Sequence, residues 1–94
     1  MSEGDLARAF CCIQNPQDML AFFKEIFTPA ERKDFSLRWE LMKMLKQGYS
    51  QRDIASALGI SLCKITRGAK IIHNPKSATN RILDQAPIRK ERIA

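Results

Sequence analysis

Cations are the residues of this chain with the most evident chemistry. The 94 residues include 16 Lys and Arg against 10 Asp and Glu, a net charge of +6. Residues 1–49 hold seven residues of each sign, so the whole excess, nine cations less three anions, lies in residues 50–94. A one-sided basic surface attracts polyanions, because neutralising phosphates releases counterions. The charge distribution therefore favours a polyanion partner, with a basic surface that is merely solvated as the alternative.

Catalytic or metal-binding chemistry has no comparable set of residues. His73 is the single histidine, and no cysteine or serine stands in an evident catalytic arrangement with it. Cys11, Cys12 and Cys63 form no CxxC motif and no Cys/His cluster, so a zinc site is not expected. The sequence therefore predicts a protein that is neither an enzyme nor a metalloprotein.

Cysteine usage and hydropathy indicate the compartment. Free thiols are typical of a reducing cytoplasm. No apolar run approaches the roughly 20 residues of a membrane span, and the acidic N-terminus MSEGDLARAF lacks the basic start of a signal peptide. We therefore expect a soluble, cytoplasmic protein with no membrane partner.

Residues 50–73 must position many of the cations, and their pattern predicts a helix-turn-helix. Ile54, Ala55 and Leu58 share one side of a first short helix. Gly59 suits the turn, because a left-handed backbone conformation costs glycine least. The second helix of such a motif can lie in a DNA major groove, whereas an ordinary helical hairpin is the alternative. In this second helix the apolar residues recur at steps of 3, 4 and 3, at Leu62, Ile65, Ala69 and Ile72.

The whole chain, 1–94, is predicted to be a single all-α domain of six short helices. Thr28, Pro29 and Glu31 have the types and spacing of a capping box with proline at the first helical position. A basic tail is expected at 87–94. Besides the pair in 50–73, helices are expected at about 3–14, 17–27, 29–46 and 77–85.

The predicted helix 17–27 has an unusually broad apolar face. Six large apolar side chains fill an arc of roughly 160° around it. Such an arc predicts burial against more than one neighbour, for example a second subunit. These residues are Met19, Leu20, Phe22, Phe23, Ile26 and Phe27.

Several motifs together resemble the tryptophan repressor family. They are TPAER at 28–32, Arg38, Gly48, SQRDIA at 50–55, LG at 58–59 and ITRG at 65–68. Their order and spacing match over about 17–75, with a turn at Tyr49 one residue shorter, while the N-terminal helix and the tail show little resemblance. The resemblance implies an intertwined homodimer with a core from about 1–48 plus 76–86 and DNA-binding heads at 50–73. It also implies repression that requires bound L-tryptophan as corepressor.

The same resemblance implies a ligand pocket. Arg38 and Arg67 match two arginines that lie on either side of the indole, one of which also pairs with the carboxylate. A guanidinium can both stack and pair in this way. Thr28 matches a pocket threonine, and the ligand's ammonium is expected on backbone carbonyls around Glu25 and Phe27.

Two further pocket positions bear on which ligand is bound. Gly68 lies inside a helix, where glycine costs about 1 kcal/mol relative to alanine, and close approach of the indole would explain it. Ile71 stands where the family pattern has serine, and Glu25 stands where it has leucine, so ligand identity stays open. The alternative roles are a surface arginine for Arg38 and a phosphate contact for Arg67.

DNA contacts are implied at the starts of both motif helices. Arg52 is the candidate for a direct guanine contact, because arginine forks onto O6 and N7. Lys64 and Lys70 are candidate phosphate contacts. Cys63 and Lys64 replace smaller neutral residues of the family pattern, so the operator sequence stays open. The full candidate set is Gln51, Arg52, Ser61, Leu62, Cys63, Lys64, Thr66 and Lys70.

Two alternative functions remain beside a tryptophan-dependent repressor of operator DNA. One is a related helix-turn-helix regulator that binds DNA without a tryptophan corepressor, which Ile71 and Glu25 favour. The other is the DNA-binding part of a recombinase or transposase. That enzyme class needs a separate catalytic domain, for which these 94 residues leave no room.

Overall fold

The described part of the chain, residues 2–85 of this computed structural model, consists of six α-helices and contains no strand. This confirms the all-α class, and the helix ends differ from the predicted ones by at most two residues. Met1 and residues 86–94, which include the predicted tail at 87–94, lie outside the described residues. The helices are α1 (Glu3–Cys12), α2 (Pro16–Ile26), α3 (Pro29–Lys46), α4 (Gln51–Leu58), α5 (Leu62–Ile72) and α6 (Ala78–Gln85).

Side-chain caps explain where several of these helices begin. The Thr28 hydroxyl accepts a hydrogen bond from the Glu31 backbone N–H at 3.1 Å, and the Glu31 carboxylate accepts one from the Thr28 N–H at 2.9 Å. This is the reciprocal capping box predicted for α3. Ser50 caps α4 by accepting from the Asp53 N–H at 3.1 Å. Local sequence chemistry therefore fixes the starts of α3 and α4.

The chain packs as two compact units that divide within α3, between Phe35 and Ser36. The first unit holds α1, α2 and the start of α3. Its centre is aromatic: the Phe10 ring lies 5.7 Å from Phe22, 5.9 Å from Phe23 and 6.4 Å from Phe27 between ring centroids. No residue of 2–35 is fully buried within the described chain.

A small aliphatic core organises the second unit. Leu41 of α3, Ile54 of α4 and Ile65 of α5 are 2%, 0% and 0% exposed and pack together. Gly59 makes the turn between α4 and α5 at φ 65° and ψ 35°, the left-handed conformation predicted for it. The core thus holds α4 and α5 as a bent pair against the later turns of α3.

Asn80 attaches α6 to the ends of α3 and α5. Its side chain is 5% exposed, and its amide donates to the carbonyls of Ile72 and Asn74, each at 2.8 Å. Its Oδ1 accepts from the Lys46 ammonium at 2.8 Å, and the same ammonium lies 3.3 Å from the Asp84 carboxylate. The orientation of α5 is therefore fixed at its C-terminal end as well as by the aliphatic core.

Candidate functional site

A cavity of about 400 Å³ opens between α3 and α5 in the second unit. Each helix contributes one face, because its lining residues recur at steps of three and four. A cavity of this volume matches the lower range of small-molecule sites. Its lining consists of Arg38, Leu41 and Met42 from α3 and Lys64, Arg67, Gly68 and Ile71 from α5.

Close helix packing accounts for Gly68 without a ligand. A Cβ at this position would stand 3.2 Å from Leu41 Cδ1, 3.3 Å from Leu45 Cδ1 and 3.5 Å from Met42 Cε. The first two separations are tighter than ordinary van der Waals contact. Glycine therefore allows α5 to approach α3, in addition to the close indole contact that the resemblance implies.

Positive charge dominates the cavity lining. Arg38, Lys64 and Arg67 are all exposed residues, and the lining contains no carboxylate. Among residues 2–85, none of the three forms a salt bridge. Unpaired cations beside an apolar wall suit a ligand that combines an anionic group with a flat apolar body. The apolar side chains of that wall belong to Leu41, Met42 and Ile71.

Four of the seven predicted ligand residues lie together in this cavity. These are Arg38, Arg67, Gly68 and Ile71. The other three, Glu25, Phe27 and Thr28, belong to the first unit, and their contact with a ligand stays a prediction. The cavity also includes Lys64, which the sequence analysis assigned only to DNA. Lys64 stands three residues before Arg67 and therefore lies on the same face of the helix. This spacing is the sequence signal that could have placed Lys64 in the cavity.

The opposite, outward face of α5 carries a second, more open depression. It measures about 380 Å³ and is lined by Leu62, Cys63, Thr66, Arg67 and Lys70. Four of these five, all but Arg67, are predicted DNA-binding residues. Arg67 lines both this depression and the cavity against α3, so a single side chain borders both faces of α5.

The remaining predicted DNA residues lie where α4 and α5 begin. Gln51 and Arg52 are exposed in the first turn of α4. The Thr66 hydroxyl of α5 donates to the Gln51 Oε1 at 3.1 Å, which ties the two helices together on their outer side. Ser61 caps α5, its hydroxyl accepting from the Lys64 N–H at 3.4 Å.

The described residues contain neither a cluster of possible metal ligands nor a membrane-spanning helix. No three His, Cys, Asp or Glu side chains of 2–85 converge as metal ligands. The three cysteines are free and exposed. No described helix combines the length and the apolar character needed to cross a bilayer.

Comparison with known proteins finds relatives along most of the chain. The family model described as Trp repressor protein matches residues 4–87. A Trp operon repressor homolog of Xylella fastidiosa (strain M23) is 37% identical over 65 residues, covering 68% of this chain and 71% of the relative. One of Chlamydia trachomatis serovar D is 35% identical over 57 residues, covering 60% of this chain and 57% of the relative. No solved structure matches the chain. The family match begins at residue 4 and so extends into α1, where the motifs of the sequence show little resemblance.

Proposed function

The chain belongs to the Trp repressor family, and we propose that it is an L-tryptophan-dependent transcriptional repressor that binds operator DNA as a cytoplasmic homodimer. The observation that carries the proposal is the double placement of Arg67. Its side chain borders the cavity against α3 and also the outward depression of α5. A ligand held at Arg67 would therefore act directly on the helix that meets DNA.

Within this proposal, the α4–α5 pair is the DNA-binding helix-turn-helix. In that role α5 enters the major groove, and the start of α4 lies over the backbone. Residues 50–94 carry the whole net charge of +6, as a phosphate-binding surface requires. Arg52, exposed at the start of α4, would contact guanine. Lys64 and Lys70 would contact phosphates, with Gln51, Ser61, Leu62, Cys63 and Thr66 completing the surface.

L-Tryptophan fits the chemistry of the cavity lining. Its carboxylate would pair with Arg67, and its indole would lie between Arg67 and Arg38 above apolar Met42. The family resemblance also implies ligand contacts at Thr28 and at the backbone near Glu25 and Phe27. Such a ligand raises DNA affinity by stabilising the α5 orientation that suits DNA, since it shifts a pre-existing equilibrium.

A second copy of the chain would cover the apolar surface of the first unit. Leu20 and Ile26 of α2 are 55% and 46% exposed. No residue of 2–35 is buried within the described chain. Homodimers bury their subunit contacts much as domains bury their cores. This surface supports the dimer that the family resemblance implies.

The second candidate is a regulator that binds DNA without tryptophan. Two observations favour it. Gly68 is explained by packing against Leu41 and Leu45, so its presence does not require a ligand. Ile71 gives the cavity wall an apolar side chain in place of a hydroxyl.

Calorimetric titration with L-tryptophan, followed by gel shift with and without it, distinguishes the two candidates. The DNA probe is a duplex selected from a random pool by the tryptophan-loaded protein. We expect measurable binding heat and a gel shift that strengthens with tryptophan. Arg67→Ala should abolish the heat and the ligand dependence, because the ligand's carboxylate loses its partner.

Arg52→Ala is the matched control, since it removes an exposed arginine of the same motif at the DNA face only. It should bind tryptophan as the parent does and lose about 1–3 kcal/mol of discrimination between selected and random DNA. Absence of heat in the parent, with a gel shift that ignores tryptophan, would establish the second candidate instead.

A further inference from the structure

A single side chain of α6 holds the C-terminal end of α5. The last four carbonyls of a helix have no hydrogen-bond partner within it. The Asn80 amide donates to the carbonyls of Ile72 and Asn74, each at 2.8 Å. Its Nδ2 also lies 3.5 Å from the carbonyl of Ile71, whose side chain lines the cavity against α3. Asn80 therefore contacts the end of the helix that forms one wall of that cavity.

Lys46 joins the same amide to the end of α3. Its ammonium donates to the Asn80 Oδ1 at 2.8 Å. Because Asn80 is only 5% exposed, its amide depends on these protein partners and not on water. We call this set, Lys46 and Asn80 with the carbonyls of Ile72 and Asn74, the α6 clamp. The clamp connects the C-terminal ends of α3 and α5 through α6.

The α6 clamp is one of two contacts that set the direction of α5. The other is Gly68, where a Cβ would lie 3.2 Å from Leu41 Cδ1 of α3. Gly68 stands four residues before the end of α5 at Ile72 and six after its start at Leu62. At about 1.5 Å per residue, these distances are about 6 Å and 9 Å. If the clamp opened and α5 pivoted at Gly68, its start would therefore move about one and a half times as far as its end.

We infer that Asn80 is a positioning residue for DNA recognition: through the α6 clamp it holds the start of α5 in the orientation that DNA accepts. The inference rests on the proposed function, in which the start of α5 meets DNA and a ligand favours the same orientation. A protein whose competent state is less populated binds more weakly by that fraction, and a ligand that selects the state restores binding. Loss of the clamp should therefore weaken DNA binding most in the ligand-free protein.

Gel shift of Asn80→Ala with the selected duplex, with and without L-tryptophan, tests the inference. The temperature is one at which thermal unfolding shows the parent and every variant to be fully folded. Asn80→Ala should weaken ligand-free DNA binding by about tenfold and tryptophan-loaded binding by about twofold, so that the dependence on tryptophan rises about fivefold. The slope of affinity against salt should not change, because the complex keeps its phosphate contacts. A merely structural role would lower the unfolding temperature and leave both affinities of the folded protein unchanged.

Asn15→Ala is the matched control, since it is the same substitution at a residue of the first unit. The Asn15 Oδ1 accepts from the Asp18 N–H at 2.8 Å and caps α2, so its loss lowers stability. Both DNA affinities should stay at the parent values.

Lys46→Met is a second variant, which decides the matter if Asn80→Ala does not fold. It removes the link from Asn80 to α3, and it is expected to fold because the Lys46 side chain is 36% exposed. It should change both affinities in the same direction as Asn80→Ala. Lys43→Met controls for the lost charge, because Lys43 lies on the same helix and pairs with Glu40 at 3.0 Å, outside the clamp.

The outcomes separate the inference from the proposed function. If tryptophan strengthens the gel shift of the parent and Asn80→Ala behaves as the parent does, or loses affinity equally with and without tryptophan, the inference is wrong and the proposed function stands. If tryptophan has no effect on the parent, the proposed function is wrong, and the ligand-free affinities decide the inference. It then stands only if Asn80→Ala binds more weakly than both the parent and Asn15→Ala. If the parent binds no DNA, both are wrong.

Discussion

Gly68 and Arg67 are adjacent in α5 and have opposite requirements for space. Gly68 is buried against Leu41 and Leu45, where a Cβ would be crowded. Arg67 is exposed and borders both faces of the helix. The sequence could predict that both residues matter, because glycine is costly inside a helix and the ITRG motif is specific. It could not predict that packing on α3 suffices to explain the glycine, since that contact joins residues far apart in the chain.

Gly68→Ala should destabilise the protein by about 1 kcal/mol in urea unfolding, despite the better helix propensity of alanine. The new methyl group would meet Leu41 at 3.2 Å, and Leu41 is only 2% exposed and has little room to move. Overpacking of a core by one methyl group typically costs about 1–3 kcal/mol, against about 1 kcal/mol gained in propensity.

Gly4→Ala supplies the control for that prediction. Gly4 is a helical glycine of α1 whose Cβ would meet nothing closer than 3.7 Å. The Gly4→Ala substitution should leave the free energy of unfolding unchanged or raise it. A Gly68→Ala protein more stable than the parent would show that α3 adjusts freely, and the packing explanation would then fail.

At the scale of the elements, most helix starts and turns were predictable from residues that are close together in the sequence. The α3 start was predictable because Thr28 and Glu31 hydrogen-bond to each other within four residues and Pro29 occupies the first helical position. The α4–α5 turn was predictable because Gly59 tolerates the left-handed conformation that the turn requires. The attachment of α6 was not predictable, since Asn80 bonds to Lys46 across 34 residues. No periodic pattern marks a single buried amide.

Asn80→Ala should lower the free energy of unfolding by about 2 kcal/mol, because the carbonyls of Ile72 and Asn74 lose the donor that the buried Asn80 amide supplies. The measurement is urea unfolding followed by circular dichroism. Asp84→Asn removes the exposed ion pair of the same network and serves as control. It should cost no more than about 0.5 kcal/mol, as exposed pairs generally do. Equal losses in both variants would contradict a special role for the buried amide.

For the molecule as a whole, the two units differ in how completely they bury their apolar residues. The second unit has a closed core at Leu41, Ile54 and Ile65. The first unit contains a cluster of five phenylalanines, Phe10 and Phe27 among them, and buries none of them fully. The broad apolar arc of 17–27 predicted an additional neighbour. The sequence pattern could not predict which part of this apolar face Phe10 of α1 would cover, because that contact depends on the turn at Asn15.

The proposed homodimer leads to a prediction at this scale. Leu20→Glu should shift the protein from dimer to monomer in sedimentation velocity and abolish the rise of its thermal midpoint with concentration. The reason is that a charge would be buried at the subunit contact without a partner. Leu62→Glu is the matched control: Leu20 and Leu62 are 55% and 56% exposed, but Leu62 lies on the outward face of α5. It should remain dimeric and lose DNA binding. A parent that sediments as a monomer at every concentration would contradict the dimer, whereas equal dissociation by both substitutions would show that the contact is not specific to α2.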